Sequence, residues 1–249
     1  MAHSVRSRRA AGRALVPFDE TIGNLLLRYA RLVVARGYIH NSLGNIAIRA
    51  PHPAFPDGVV YAKHAEVSLE EMTLDNVVIT DIPEGRLLHG TVPTSVGHQL
   101  NREILRLRPD INAVIHAHHD ETIAFFASGA FKEIKVLSLE FPYVMAKPPH
   151  LVPSHIDVER DVGPIKEFIQ HTNSVLMENH GVTTLGRTLS EAYHRLNTLT
   201  SEVRRNILAE RLAALKGSEV HYLSQQAVDW MYQHADQVIY PSRGTKDRR

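Results

Sequence analysis

The stretch "INAVIHAHHDETIAFFASG", residues 111–129, joins a short apolar run to an acid-headed helical pattern through three histidines. INAVIHAHH (111–119), following the helix that Pro109 ends, predicts a strand. Asp120 and Glu121 then open a helix, where negative charge meets the positive end of the dipole. A histidine at the end of a buried strand is costly unless something uses its nitrogens. Alternate residues of a strand point the same way, so His116 and His118 can converge on one ion. His119 faces the other side or begins the helix.

Working outward, PTSVGHQLNREILRLRPD (93–110) predicts a helix capped by Thr94 or Ser95, with Leu100, Ile104 and Leu107 on one face and Pro109 as its stop. NIAIRA (45–50) and VVYAK (59–63) alternate like strands, and the three prolines of PHPAFPDG (51–58) predict a loop between them. LDNVVITDI (74–82) and LLHG (87–90) add short strands. Upstream, PFDETIGNLLLRYARLVVARGYIH (17–40) is helical, with Asp19 as cap and Gly37 as stop. Downstream, IKVLSLEFPYVMAKPP (134–149) is extended and proline-broken, and VERDVGPIKEFIQ (158–170) is helical. NSVLMENHGVTTLG (173–186) reads as two strands around a turn. The longest helix, 188–215, opens on a Thr188 to Glu191 capping box, and a last one lies near Gln225 to Gln237. Interleaved short strands and helices without an internal repeat predict one α/β domain, a mainly antiparallel or mixed sheet between helices. Its expected limits are 17–240, between a flexible basic arm (1–16) and a flexible basic tail (241–249).

Composition narrows the function. The 249 residues carry a net charge of +1, but the four arginines of the first 13 residues and a net three positive charges in the last eight leave about −6 on the body. A nucleic-acid surface on the folded part is thereby disfavoured. There is no cysteine, so disulfides, thiolate ligands and a cysteine nucleophile are excluded. No apolar run approaches the ~20 residues that span a bilayer, and residues 1–13 lack the apolar centre of a signal peptide. The expectation is a cytoplasmic protein without membrane or nucleic-acid partners. Sixteen histidines stand out, and imidazole is the natural nitrogen ligand left to a cysteine-free metal site.

A catalytic metal site of the zinc type takes three protein ligands and leaves one position open. His180, in the turn of MENHGV, is the candidate third ligand beside His116 and His118, the alternative being that His-x-His is a chance pair on a sheet. Three imidazoles suit zinc; manganese, iron(II) and cobalt can occupy such a site as well. The expected cofactor is one divalent ion per subunit.

Three segments, SLGNIAIR (42–49), RPDINAVIHAHH (108–119) and LMENHGVTTLGRTLSEAYHRL (176–196), together resemble the class II aldolase/adducin family, in its order and spacing. The resemblance implies an α/β/α sandwich about a largely antiparallel sheet. It also implies a divalent metal held by His116, His118 and His180, and a homotetramer with active sites near subunit contacts. Family activities include cleavage of ketose phosphates, epimerisation of a pentulose phosphate and decarboxylation of hydroxy-substituted acids; adducin keeps the fold as a cytoskeletal module.

Two departures shape the expectation. Where the aldolases carry Pro-Ser-Ser-Glu with an acid/base glutamate, this chain has Pro93-Thr94-Ser95-Val96, or Gly97 at the glutamate if matched from Arg108 backwards. Neither register supplies a carboxylate, and His98 is the nearest titratable group and the candidate catalytic residue. The aldolase phosphate loop corresponds to YAKHAEV (61–67), which has no glycine to let backbone amides approach a phosphate. Lys63 and His64 could still meet a carboxylate. Asn45 either organises the Gly44 turn or contacts substrate, and Ser95 is either a helix cap or a ligand contact. His119 is expected either to cap the next helix or to support a metal ligand from behind. The resulting expectation is a metal-dependent carbon–carbon lyase, an aldolase or a decarboxylase, acting on a small hydroxy-carbonyl or hydroxy-acid that is not a sugar phosphate. The competing expectation is a non-catalytic, adducin-like interaction module.

Overall fold

The computed structural model describes residues 16–39 and 41–239, so the tail and all but the last residue of the N-terminal arm lie outside the described residues. In chain order the elements are α1 (Glu20–Ala35), β1 (Asn45–His52), β2 (Phe55–Lys63), β3 (Val77–Asp81), β4 (Leu87–His89), α2 (His98–Leu107) and β5 (Ala113–Ala117). They continue with α3 (Asp120–Ala127), α4 (Glu140–Met145), β6 (His150–Val152), β7 (Ser174–Met177), β8 (Gly181–Gly186), α5 (Leu189–Lys216) and α6 (Gln225–Ile239). The strands form one sheet in the order β4-β3-β2-β1-β5-β8-β7-β6, antiparallel throughout except for the β6–β7 pair.

Strand β5 explains why both faces are covered. Ala113, Ile115 and Ala117 join Leu26, Val33 and Leu196 in one apolar cluster, under α1, α3 and α5. Val114 points the other way, into a second cluster with Leu100, Ile104, Val158 and Ile165, beneath α2 and two 3-10 turns at Gly163–Glu167 and Ile169–His171. The α/β sandwich with a mainly antiparallel sheet is therefore observed. His116 shares the parity of Val114 and so emerges on the α2 face.

Four local expectations are corrected. Residues 51–58 are strand, not loop: β1 and β2 form a hairpin that turns at Pro53-Ala54. Pro51 sits at a register irregularity between Ala50 and His52, and Pro56 lies where β2 runs beyond its pairing with β3, so neither removes a ladder bond. Residues 158–170 are not one helix, because Gly163-Pro164 limits the chain to 3-10 turns preceded by a loop. Within 134–149, residues 140–145 form α4; Pro142 is tolerated because the first-turn amides of a helix need no internal acceptor. Finally, α2 begins at His98 without a side-chain cap, and Ser95 contributes only its carbonyl, which accepts from His98 N at 3.1 Å.

Candidate metal centre

His116, His118 and His180 come together, with ligand atoms all within 4.8 Å of one another. His116 Nε2 lies 2.9 Å from His118 Nε2, and the His180 ring centroid stands 5.1 Å from that of His116 and 4.8 Å from that of His118. Local structure dictates this convergence. His116 is the penultimate residue of β5 and His118 follows two residues on, just past the strand's end, so both point to the same face. His180 is carried by the turn between β7 and β8, closed by its own amide donating to Met177 O at 3.1 Å. Asn179 supplies a left-handed residue there, φ +60, which asparagine adopts more readily than most. Gly181 follows because a Cβ would collide with the Ala117 carbonyl of β5. Asn-His-Gly is thus a turn built to press an imidazole against the end of the neighbouring strand.

The ring of His116 is oriented from behind. Thr183 is its cross-strand partner on β8, and His116 Nδ1 lies 3.0 Å from Thr183 Oγ1. With Nδ1 donating, the lone pair of Nε2 faces the other histidines. Burial holds His116 well below the usual imidazole range, with His118 and His180 adding to the effect. Burial also lowers His180, which Asp157 partly opposes. Neutral imidazole is the form that binds a metal.

A fourth group arrives from a segment that the sequence does not mark. Glu159, in the loop between β6 and the first 3-10 turn, places Oε1 3.7 Å from His116 Nε2 and Oε2 3.5 Å from His180 Nε2. Burial, and secondarily Asp157, pushes its carboxyl up to about 7. Its Oε1 is buried without a hydrogen-bond partner. No spacing or periodicity points to a lone glutamate in an irregular loop; only the fold brings it here. Three imidazoles and an unsatisfied carboxylate oxygen form a donor set that fits a divalent cation.

The remaining sequence candidates divide. Asn45 is adjacent, the cross-strand partner of His116 on β1, with its Oδ1 accepting from Asn101 Nδ2 at 2.6 Å. His98 turns away into the α2–β3 interface, Nε2 2.9 Å from Thr80 Oγ1, and burial takes it down to about 3. Lys63 is 2% exposed and donates Nζ to the Ser42 and Val67 carbonyls at 2.8 and 2.5 Å. His64 is buried between the Ala65 carbonyl and Asn76 Nδ2. His119 caps α3, Nδ1 accepting from Thr122 N at 3.3 Å.

A sequence profile described as Class II Aldolase and Adducin N-terminal domain matches residues 24–205. The chain belongs to that family. It is 27% identical over 187 residues to L-fuculose phosphate aldolase of Methanococcus maripaludis, covering 75% of this chain and 96% of the relative. It is 25% identical over 185 residues to methylthioribulose-1-phosphate dehydratase of Enterobacter sp., covering 70% and 88%. Among solved structures, L-fuculose 1-phosphate aldolase from Glaciozyma antarctica superposes with a TM-score of 0.70 at 18% identity, covering 94% of this chain and 97% of that one. The last likeness concerns the fold. The two relatives by sequence are named for lyase reactions, one cleaving an aldol and the other removing water.

Proposed function

We propose that this class II aldolase-family protein is a divalent-metal-dependent lyase that cleaves a carbon–carbon bond in a small hydroxy-carbonyl or hydroxy-acid substrate. The convergence of His116, His118 and His180, from two separate stretches of chain, carries this reading. When bound there, a divalent cation supplies Lewis-acid stabilisation of the negative charge that develops as such a bond breaks, worth several kcal/mol. The protein's part is to hold the rings: Thr183 fixes the orientation of His116, and the Met177–His180 turn fixes His180. Asn45, the cross-strand neighbour of His116, is the proposed substrate contact.

A sugar phosphate fits this site poorly, although both named relatives are called after one. In the stretch that corresponds to the aldolase phosphate loop, the amides of His64 and Ala65 already donate to Asn76 O and Pro93 O, at 3.0 and 2.8 Å. Lys63 is committed to two carbonyls, and the exposed Glu66 adds like charge. The His64 and Ala65 amides and the Lys63 ammonium are thus already engaged and not offered to a phosphate. A carboxylate drawn directly to the metal needs no such cradle. Decarboxylation and aldol cleavage differ in that only the second must begin with a base, and His98 faces Thr80 rather than the triad.

The expected assembly is a homotetramer, and Leu208, Leu212 and Leu215 on α5 with Trp230 on α6 offer it exposed apolar surface. The test of function is turnover. Zinc-, manganese-, iron(II)- and cobalt-loaded protein is incubated with hydroxy-aromatic dicarboxylates, with 2-keto-4-hydroxy acids and with fuculose 1-phosphate. Release of CO2 or aldehyde from the carboxylates, exceeding that from the phosphate, is the expected result. No product from either carboxylate panel overturns the proposal.

A further inference from the structure

We propose that Glu159 is a fourth ligand of the metal centre, delivered across a gap that Gly97 keeps open. This rests on the reading of the three histidines as a metal site. Nitrogen and oxygen ligands about 2.0–2.2 Å from a tetrahedral ion lie about 3.4 Å from one another. The separations of 3.7 Å from Oε1 to His116 Nε2 and 3.5 Å from Oε2 to His180 Nε2 are those of such a shell, too long for hydrogen bonds and short enough for shared coordination. Oε1 is buried and has no hydrogen-bond partner. A carboxylate oxygen in that state is expensive to maintain unless a cation meets it.

Two further features belong to the same arrangement. A Cβ on Gly97 would collide with Glu159 Oε1 and stand 2.8 Å from Asn45 Nδ2, so at this position any side chain competes with the carboxylate for space. The loop that carries Glu159 is also anchored. Val158 is buried in the cluster beneath α2, and Asp157 Oδ1 accepts from the amides of Glu159 and Arg160 at 3.2 and 3.3 Å. The Asp157 carbonyl accepts from Asp161 N at 2.9 Å. Between a core valine on one side and a capped turn on the other, the carboxylate is aimed rather than free to swing. A site closed by four protein groups must enlarge its shell or release the carboxylate when substrate arrives, which distinguishes it from a permanently open three-histidine site.

The test reads metal binding directly. Zinc and cobalt(II) are titrated into the full chain against a competing chelator, and the visible absorption of the cobalt(II) form is recorded. Wild type, Glu159→Gln, Gly97→Ala, the double variant and His118→Ala are compared, with thermal unfolding of each metal-free protein as the check on folding. Glu159→Gln is expected to weaken binding about 10–100-fold and to shift the cobalt(II) spectrum. Gly97→Ala is expected to do the same by displacing the carboxylate, and the double variant to be no weaker than either single one, since both remove one interaction. If Glu159→Gln binds cobalt(II) as tightly as wild type with the same spectrum, while His118→Ala loses the metal, this proposal fails and the three-histidine reading stands. A wild-type protein that takes up no metal overturns both. Should Gly97→Ala not fold, Glu159→Gln alone decides.

Discussion

His116 and His98 are near twins by every local measure. Each is a 2% exposed imidazole, and each leans one nitrogen on a threonine hydroxyl, Thr183 at 3.0 Å and Thr80 at 2.9 Å. Burial drives both toward the neutral form. They differ in what the second nitrogen meets. Nε2 of His116 faces His118, with Glu159 and His180 beside it. Nδ1 of His98 is buried without a hydrogen-bond partner, in the packing between α2 and β3. Lys63 repeats the lesson: burial lowers it to about 8, as at many catalytic lysines, yet its ammonium only ties two carbonyls of neighbouring loops together. Burial and a shifted pKa are common to all three positions; what sets the triad apart is convergence of donors from separate elements.

The largest expected effect breaks the twins apart. His118→Ala and His180→Ala should each drop bound metal below stoichiometry and lower kcat/KM by at least about 1000-fold, the loss of several kcal/mol of charge stabilisation. His98→Ala should leave metal content at one equivalent, read by elemental analysis of the purified protein. Loss of metal in the His98 variant with folding intact would erase the distinction.

Lys63→Met comes next. It removes the shared donor of the Ser42 and Val67 carbonyls, and relief of the buried ammonium offsets only part of that loss. A net cost of about 2 kcal/mol is expected, which lowers Tm by about 4–8 °C in a domain of this size. KM at 25 °C should hardly change. An unchanged Tm with a KM raised tenfold or more would instead return Lys63 to the substrate.

These outcomes bear on how much the sequence can say. The triad was legible because a strand's period of two aligns His116 with His118, and because a histidine in a tight turn between apolar strands has little packing reason to be there. The central sheet was legible from the same alternation. The prolines of 51–58 misled because their meaning depends on neighbours: a strand running beyond its partner loses nothing to a missing N–H. Lys63, His64 and His98 were titratable groups at suggestive positions, and only coordinates could show their polar atoms facing other partners. Glu159 was invisible for the converse reason. An acid in an irregular loop has no pattern, and its place depends on Val158 packing under α2 and on Gly97 leaving room. The departure at 93–97 could be read from the chain, but not what fills the space.

The orienting threonines allow a finer comparison. Thr183→Val keeps volume and strand propensity but removes the hydroxyl behind His116 Nδ1. Metal affinity should fall about tenfold, the low end for loss of a partner behind a ligand. Thr80→Val makes the same change behind His98 and should leave affinity untouched. Chelator competition on the two variants, side by side, reads the difference; equal effects would mean that Thr183 acts through packing alone.

The smallest effect is a slope. The His98 imidazole titrates near 6.5 in an unfolded chain and is taken to about 3 in the folded one. Its contribution to stability is thus complete above pH 6.5 and is lost as pH falls toward 3, because the unfolded chain takes up the proton first. His116 acts in the same direction, so acid should destabilise the metal-free protein even without His98. Removing one such group lowers the slope by up to about 1.4 kcal/mol per pH unit. Urea unfolding of metal-free wild type and His98→Gln at intervals from pH 7 to pH 4.5 should show a shallower acid limb for the variant, with little difference at pH 7.5. Equally steep limbs would mean that the folded protein protonates His98 readily, and that the ring is not sealed between α2 and β3.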